Sequence, residues 1–337
     1  MIPAAAGGPK GLILQALDQF LFGQWLPAAP RERTLIGSSI GAWRMAAACA
    51  SDPVAAFQRL GECYCAQSYP KKPSALHVST VIQDVLQQFI GGHEADITSH
   101  PQHRLQMITA RGRGLLDVPR SSWAVKAGFG AATLANMASR ARLASHLERV
   151  VIGDVRAPSQ WLSTSFDAFT THFAPLAADN LAAALLASGT LPLVMEPVSD
   201  IPHAPSGTYW DGGLIDYHLA LPYARLATPA DAGLVLYPHF RSHIVPGWLD
   251  KSLPWRRVGQ GKNRNWLDNM IVLAPSAAFL HGLPRRKLPD RKDFTYYGMD
   301  NEMRRQQWQF AVRQGAQLRD AFAAFVERPD MGLVQPL

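Results

Sequence analysis

Two glycine-rich turns near the start of the chain constrain its fold more than any other feature. Residues 7–11 read Gly-Gly-Pro-Lys-Gly and follow a short apolar run, whereas residues 37–41 read Gly-Ser-Ser-Ile-Gly and follow the β-type run 34–36. Apolar residues recur at helical spacing after the first turn, and small residues continue in a helical pattern after the second. The chain therefore opens with the order strand, turn, helix, strand, turn, helix, which predicts an α/β fold.

Further apolar runs extend this alternation along the chain. Residues 105–110, 150–152, 233–236 and 270–273 are predicted strands, and residues 181–186 give the clearest helical pattern between them. Strands that alternate with helices favour a mainly parallel sheet covered on both faces. We therefore predict a three-layer α/β/α arrangement, closed by a helix over residues 303–325 that packs back on the core.

Composition excludes several classes of protein. A hydrophobic fraction of 47% and a charged fraction of 18% predict a folded globular chain. Three cysteines are too few for a disulfide framework or a four-cysteine metal site, and they favour a reducing compartment such as the cytoplasm. No run of about 18 apolar residues occurs, and no signal peptide is evident, so we expect any membrane contact to be peripheral.

The net charge of +7 points to an anionic partner or to a purely solubilising role. Residues 241–266 concentrate this charge and interleave it with aromatic rings, which suits a lipid headgroup interface, single-stranded nucleic acid or a solvated loop. Peripheral contact with an anionic membrane is the functional expectation, and nucleic acid is not expected as a partner. The residues concerned are Arg241, Trp248, Lys251, Trp255, Arg256, Arg257, Lys262, Arg264 and Trp266, with a second cluster at Arg285, Arg286, Lys287, Arg291 and Lys292.

The second turn fits the Gly-x-Ser-x-Gly pattern of a nucleophile elbow. In such an elbow a serine stands on a tight turn between a strand and a helix, and the two glycines allow the close packing that this turn needs. Ser39 is the central serine, between Gly37 and Gly41. An ordinary Gly-Ser turn has the same composition, but the strand pattern before it and the helical pattern after it favour the elbow.

The first turn offers backbone N–H groups at the start of a helix, where the dipole favours negative charge. Pro9 has no N–H, so the donors of an oxyanion hole would be Gly7 and Gly8, joined by the amide of Ile40. A structural turn and a phosphate-binding loop are the alternatives. A Walker-type loop needs four residues between its glycines and a Lys followed by Ser or Thr, and both features are missing.

A third block lies far along the chain, where Asp211 follows an aromatic run and precedes Gly212 and Gly213. By itself Asp-Gly-Gly is most often a turn. It gains meaning beside the other two blocks, because a serine hydroxyl needs a base before it can act as a nucleophile.

Together the three blocks resemble the ordered motifs of the patatin-like phospholipases. Residues 36–43 and 183–192 resemble the segments around that family's elbow and ahead of its aspartate, and the resemblance extends to about residue 225. It implies a three-layer α/β/α patatin-like fold, with a catalytic domain over residues 1–235. Residues 236–337 would form an extension, in which a basic and aromatic loop region precedes the terminal helix.

The resemblance implies a serine and aspartate dyad without histidine. Ser39 would attack the carbonyl of a lipid ester while Asp211 takes its proton, and water activated by Asp211 would hydrolyse the acyl-enzyme. The implied function is a lipid acyl hydrolase of the phospholipase A or lysophospholipase type, without metal or organic cofactor. The residues implied to support the loops are Lys10, Gly11, Gly37, Gly41, Gly212 and Gly213.

The family usually has three successive glycines in its first block, and Ala6 occupies the first of these places. We expect its methyl group to tighten the oxyanion loop. The strand before it is also short, which leaves room for residues ahead of Met1.

Two other functional interpretations stay open. A conventional α/β-hydrolase would add a histidine such as His218 or His239, but that fold places more strands before its elbow than about 36 residues can supply. A catalytically silent lipid-binding or scaffolding protein would keep the fold and the dyad without the reaction.

Overall fold

The computed structural model describes residues 1–118, 121–157, 160–228, 231–258 and 261–337. Within these ranges the chain has a mixed α/β fold with a mostly parallel central sheet, compatible with three α/β/α layers. The described strands are β1 (Ile2–Ala4), β2 (Arg33–Ser38), β3 (His103–Gly112), β4 (Leu147–Gly153), β5 (Thr171–Pro175), β6 (Val198–Ser199), β7 (Thr208–Asp211), β8 (Val235–Pro238) and β9 (Met270–Leu273).

Helices connect and cover these strands. The α-helices are α1 (Gln15–Phe20), α2 (Ile40–Ala48), α3 (Pro53–Ala66), α4 (Ala75–Ile90), α5 (Glu94–Thr98), α6 (Ser122–Ala138), α7 (Arg140–Leu143), α8 (Gln160–Ser163), α9 (Ala178–Gly189), α10 (Ala277–His281), α11 (Lys292–Tyr297), α12 (Asn301–Gln314) and α13 (Ala316–Glu327). A 3₁₀ helix (Gly8–Leu14) and a π-helical turn (Leu21–Trp25) flank α1. Short 3₁₀ segments are Gly114–Leu116, Gly212–Leu214, Tyr223–Leu226, Trp248–Asp250, Pro254–Arg256, Gly261–Leu267, Pro284–Arg286 and Met331–Leu333.

Strand β3 is the centre of the sheet. Strands β1, β2 and β3 are parallel neighbours, and β4 pairs antiparallel with β3 on its other side and parallel with β5. Strand β7 also pairs antiparallel with β3 and carries the two-residue strand β6. Strands β8 and β9 form a separate parallel pair, which approaches β1 through a hydrogen bond of 3.1 Å from the Leu236 N–H to the Met1 carbonyl.

One edge of β3 is shared by two strands that approach each other end to end. Strand β2 ends where Ser38 is the register partner of Ile108, and β7 ends where Asp211 is the register partner of Thr109. The two strands run in opposite directions, so their carboxyl ends meet at adjacent positions of β3. The fold thereby brings the elbow and the distant aspartate together.

Helices cover both faces of the sheet at this point. Trp210 packs edge to face on Phe129 of α6, with ring centroids 4.9 Å apart. Neighbouring side chains of a strand point to opposite faces, so Asp211 faces away from α6. It faces α9, from which Thr190, at the end of the helix, accepts a hydrogen bond from the Asp211 N–H at 2.8 Å.

A buried ion pair fixes the loop that follows Asp211. The Arg149 guanidinium on β4 is fully buried and donates to Asp216 at 2.6 Å and to Asp167 at 2.6 Å. These carboxylates raise the pKa of Arg149 against the effect of burial. Two carboxylates for one guanidinium satisfy its planar donors, which is the condition under which a buried charge is tolerated.

The strands predicted from the apolar runs are present, and residues 181–186 lie inside α9. The single helix predicted over residues 303–325 is wrong, because α12 and α13 are separate helices that meet at Gly315. At Gly315 the backbone passes so close to the 3₁₀ helix that a side chain would overlap the carbonyl oxygen of Ile13. Phe322 of α13 still packs on the core, with its ring centroid 6.4 Å from that of Phe20.

Candidate active site

Ser39 stands on the tight turn between β2 and α2. Its backbone has φ 55° and ψ −131°, a region that non-glycine residues rarely adopt and that occurs where surrounding structure imposes it. The side chain is 8% exposed. Gly41 makes this turn feasible, because a Cβ at that position would overlap the carbonyl oxygen of Ala4 on β1.

The Ser39 hydroxyl donates a hydrogen bond of 2.8 Å to Asp211 Oδ2. The other carboxylate oxygen, Oδ1, accepts the N–H of Gly213 at 2.7 Å. The two bonds fix the carboxylate plane and aim one oxygen at the hydroxyl. The two residues that the sequence motifs single out therefore share a direct hydrogen bond, in the geometry that a general base requires.

Ser188 holds the elbow from the side of α9. Its hydroxyl accepts the Ser39 N–H at 2.9 Å and donates to the Ile108 carbonyl at 2.7 Å. This buried side chain links the nucleophile's backbone to the centre of β3. The Ser39 N–H is thereby occupied and is not a donor for an oxyanion.

Burial raises the pKa of Asp211 to about 6. The hydrogen bonds from Ser39 and Gly213 and the positive charges of Arg291 and Lys251 act in the opposite direction. A carboxylate with a pKa in this range is ionised at neutral pH and is a stronger base than an exposed aspartate.

The loop ahead of the first 3₁₀ helix supplies free N–H groups. The Ala6 N–H donates to the Tyr217 carbonyl at 2.8 Å, whereas the N–H groups of Gly7, Gly8 and Ile40 have no acceptor among the described residues. Gly8 has φ 57°, which favours glycine at this position. The ring of Phe240 occupies the space that a side chain at Gly7 would need. The three predicted donors are therefore available to a bound oxyanion.

The methyl group of Ala6 is buried against Gly213. A Cβ at Gly213 would come within 2.8 Å of the Ala6 Cβ and 2.9 Å of Asp211 Oδ1. Ala6 thus fills the space between the loop at residues 7–11 and the turn after the aspartate.

The remaining predicted supports lie around the same turn. Gly11 is in the 3₁₀ helix beside Ile40, Gly37 is near the end of β2, and Gly212 begins the 3₁₀ turn after β7. Lys10 is half-buried, and burial lowers its pKa to about 8. The charged groups Asp290, Arg241, Arg291 and Lys287 act on the charge of Lys10.

The histidines of the alternative triad are engaged elsewhere. His218 is buried and its Nδ1 accepts the Val245 N–H at 3.1 Å, while His239 Nδ1 accepts the Arg241 N–H at 2.9 Å. Burial lowers the pKa of His218 well below its usual value and that of His239 to about 3. Both imidazoles are therefore neutral, and neither bonds to Ser39 or Asp211 among the described contacts.

Several residues at the site have no motif that sequence reasoning could have used. Ser188 was visible only as part of the segment 183–192. Tyr64, Tyr217, Phe240 and Arg291 come from four separate parts of the chain and approach the oxyanion loop only in the fold. Lys251 and Arg291 belong to the basic clusters, whose composition suggested membrane contact but not proximity to the dyad.

The basic and aromatic segment 241–266 is only partly exposed. Trp266 packs on Phe166, with ring centroids 5.5 Å apart, whereas Trp255 is 67% exposed. Both line a cavity of about 420 Å³, and neither member of the dyad is among its described lining residues. The side chains of Lys262 and Arg264 lie outside the described residues. In the second cluster, Arg285 and Lys287 pair with Asp293 at 2.8 and 2.7 Å.

Metal binding and membrane crossing can be examined over the described ranges. Among those residues, no group of three or more His, Cys, Asp or Glu side chains is arranged to hold a metal ion. No helix in the same ranges combines the length and apolar character needed to cross a membrane. The three cysteines are free thiols.

Two comparisons with known proteins find no match. No family model matches the chain, and no curated protein sequence matches it. The functional argument therefore depends on the geometry of the site.

Proposed function

We propose that the protein is a lipid acyl hydrolase with a patatin-like fold, in which Ser39 and Asp211 form a catalytic dyad. The observation that carries this proposal is the 2.8 Å hydrogen bond from the Ser39 hydroxyl to Asp211. The strained elbow and the free N–H groups of Gly7, Gly8 and Ile40 support the same assignment. Neither feature is needed for an ordinary Gly-Ser turn.

The proposed reaction has two halves. Asp211 takes the hydroxyl proton as Ser39 Oγ attacks the ester carbonyl, and the N–H groups of Gly7, Gly8 and Ile40 donate to the developing oxyanion. The protonated Asp211 then gives its proton to the leaving alcohol. Water, deprotonated by Asp211, attacks the acyl-enzyme carbonyl, and the fatty acid leaves as Ser39 recovers its proton.

The first test is release of fatty acid from mixed phospholipid vesicles. The wild-type protein, Ser39→Ala and Asp211→Asn are compared, and Asp320→Asn, at an exposed carboxylate on α13, is the matched control. We expect both dyad variants to lose about a thousandfold or more of kcat/KM, and the control to keep its activity. Full activity of Asp211→Asn would show that another group is the base.

A silent lipid-binding protein is distinguished by the reactivity of the serine. An activated serine reacts with a fluorophosphonate probe, and an inert one does not. We expect the wild-type protein to be labelled and Ser39→Ala to remain unlabelled. An unlabelled wild-type protein that still binds lipid would replace the hydrolase proposal with the binding role.

A further inference from the structure

Four basic side chains lie close enough to influence one another's charge and have no acidic partners of their own. Among the described residues, Lys10, Arg241, Lys251 and Arg291 form no ion pair. Asp290 is the acid that raises the pKa of Lys10, but it already pairs with Lys287 at 3.2 Å. The acid that acts on Lys251 is Asp211 itself. We call Lys10, Lys251 and Arg291 the cation cluster.

Contacts with the oxyanion loop place this cluster at the reacting centre. Arg291 Cγ lies 3.9 Å from the position of a Cβ on Gly8. The Lys251 ammonium lies 4.0 Å from the ring centroid of Tyr217, whose carbonyl holds the Ala6 N–H. Arg291 therefore lies against the loop that carries the proposed oxyanion donors, and Lys251 lies on the ring of a residue whose carbonyl binds that loop.

Trp248 holds two of these cations near each other. Lys251 Nζ is 5.2 Å and Arg291 Cζ is 5.1 Å from the same indole ring. Aromatic faces attract cations, but this attraction is worth only about 0.5–2 kcal/mol and leaves the positive charge uncompensated. The rings position the charged groups without neutralising them.

The unmatched charge is costly in the free protein. Burial and the neighbouring cations lower the pKa of Lys251 to about 6, so this amine is largely neutral at pH 7 in the free protein and would gain its charge when an anion binds. Lys251 is nevertheless exposed to solvent, so a ligand can reach it. An anion bound there would relieve this repulsion, because an opposite charge within a few ångströms favours the charged form of each base.

We propose that Lys10, Lys251 and Arg291 form a subsite for an anionic phosphate or carboxylate group of the substrate. On the proposed hydrolase function, this subsite makes the enzyme selective for esters with a net negative charge near the scissile bond. A zwitterionic headgroup would bring its ammonium into the same positive field, and an uncharged ester would gain nothing from it.

Short-chain substrates test this selectivity without a lipid surface. Dihexanoyl phosphatidic acid, dihexanoyl phosphatidylcholine and dihexanoylglycerol share their acyl chains and are compared as monomers. We expect kcat/KM for the anionic ester to exceed that for the other two by about tenfold or more. Equal kcat/KM values for all three would overturn the proposal.

Charge variants show whether the selectivity belongs to the cluster. We expect Lys251→Met and Arg291→Gln to bring the ratio of anionic to uncharged kcat/KM towards one, and Lys251→Arg to retain the ratio. Lys292→Met is the matched control, because it removes one exposed positive charge next to Arg291 in the chain. If Lys292→Met lowers the ratio as much as Lys251→Met does, the preference comes from overall charge and the subsite is wrong.

Inorganic phosphate separates this proposal from the hydrolase function. We expect phosphate to raise the thermal unfolding midpoint of the wild-type protein and of Lys292→Met, and to have less effect on Lys251→Met. This measurement needs no turnover, so it tests the subsite even if no ester is cleaved. Stabilisation by phosphate without any preference among the three esters would assign the site to a free anion and overturn the substrate proposal.

Discussion

At the scale of single residues, the buried carboxylate of Asp211 determines how the site should respond to pH. Its pKa of about 6 results mainly from burial, and the positive charges of Arg291 and Lys251 keep it from being higher. Asp211 acts as a base only when it is ionised. Activity is therefore expected to be lost as pH falls through about 6 and to level off above it.

We predict that kcat/KM for an uncharged soluble ester falls about tenfold per pH unit below an apparent pKa near 6. In Lys251→Met this limb should persist and move to higher pH, because a positive charge that favours ionised Asp211 has been removed. Initial rates across pH 4–9 measure both curves. If the variant shows no fall in activity below pH 6, the fall in the wild-type protein comes from titration of Lys251 rather than Asp211.

Only residues with a local sequence pattern could be predicted at this scale. Ser39 and Asp211 stand in glycine-rich turns that are recognisable by themselves. Ser188 was named only within the segment 183–192 and Arg291 only within a basic cluster, and their position at the site depends on packing between distant elements. The alanine at position 6 was visible, but its contact with Gly213 required the fold.

At the scale of elements, the elbow depends on how closely α2 approaches β1. The backbone of Gly41 lies against the Ala4 carbonyl, so the approach leaves no room for a side chain. Gly130 on α6 is the opposite case, because a Cβ there meets no atom within 4 Å. Substituting alanine at Gly41 and, as a control, at Gly130 therefore tests whether the close approach limits the space at the elbow.

We predict that Gly41→Ala lowers the free energy of unfolding by about 1–3 kcal/mol or more, through overpacking at the elbow. Gly130→Ala should raise it by about 0.5–1 kcal/mol, because alanine costs less entropy than glycine in a helix. Urea denaturation measures both, and fluorophosphonate labelling reports the elbow. Unchanged stability and labelling in Gly41→Ala would contradict the close approach.

Elements with a strong period were predictable, whereas their interruptions were not. The β-type runs became strands because a sheet covered on both faces buries continuous apolar runs, as β3 and β4 show. The break between α12 and α13 falls at Gly315, whose backbone contacts Ile13 about three hundred residues earlier in the chain, and no local window contains both residues. Strand β7 is only four residues long, and it was visible in the sequence only as an aromatic run before Asp211.

At the scale of the whole molecule, net charge and exposed aromatic surface favour contact with anionic membranes. The chain carries a net charge of +7, and Trp255 is 67% exposed beside Arg256 and Arg257. Indole rings prefer the boundary between headgroups and acyl chains, and basic residues are attracted to anionic lipid. This contact is a proposal that is independent of the subsite at the dyad.

We predict that Ser39→Ala protein floats with vesicles that contain anionic lipid and that added salt reduces the bound fraction. Adding Trp255→Ala should weaken binding more than adding Trp123→Ala, although Trp123 is 73% exposed on α6. Flotation assays with and without anionic lipid measure the bound fraction. Equal binding to neutral vesicles would show that charge does not drive the contact.

Strand β3 controls the geometry of the dyad, because it positions both of its members. Ile108 and Thr109 are consecutive residues, and they set the positions of Ser38 and Asp211 respectively. Bending or twisting of β3 at this peptide bond would alter the gap between hydroxyl and carboxylate without touching either group. The reactivity of Ser39 therefore depends on the geometry of β3, although β3 contributes no side chain to the dyad.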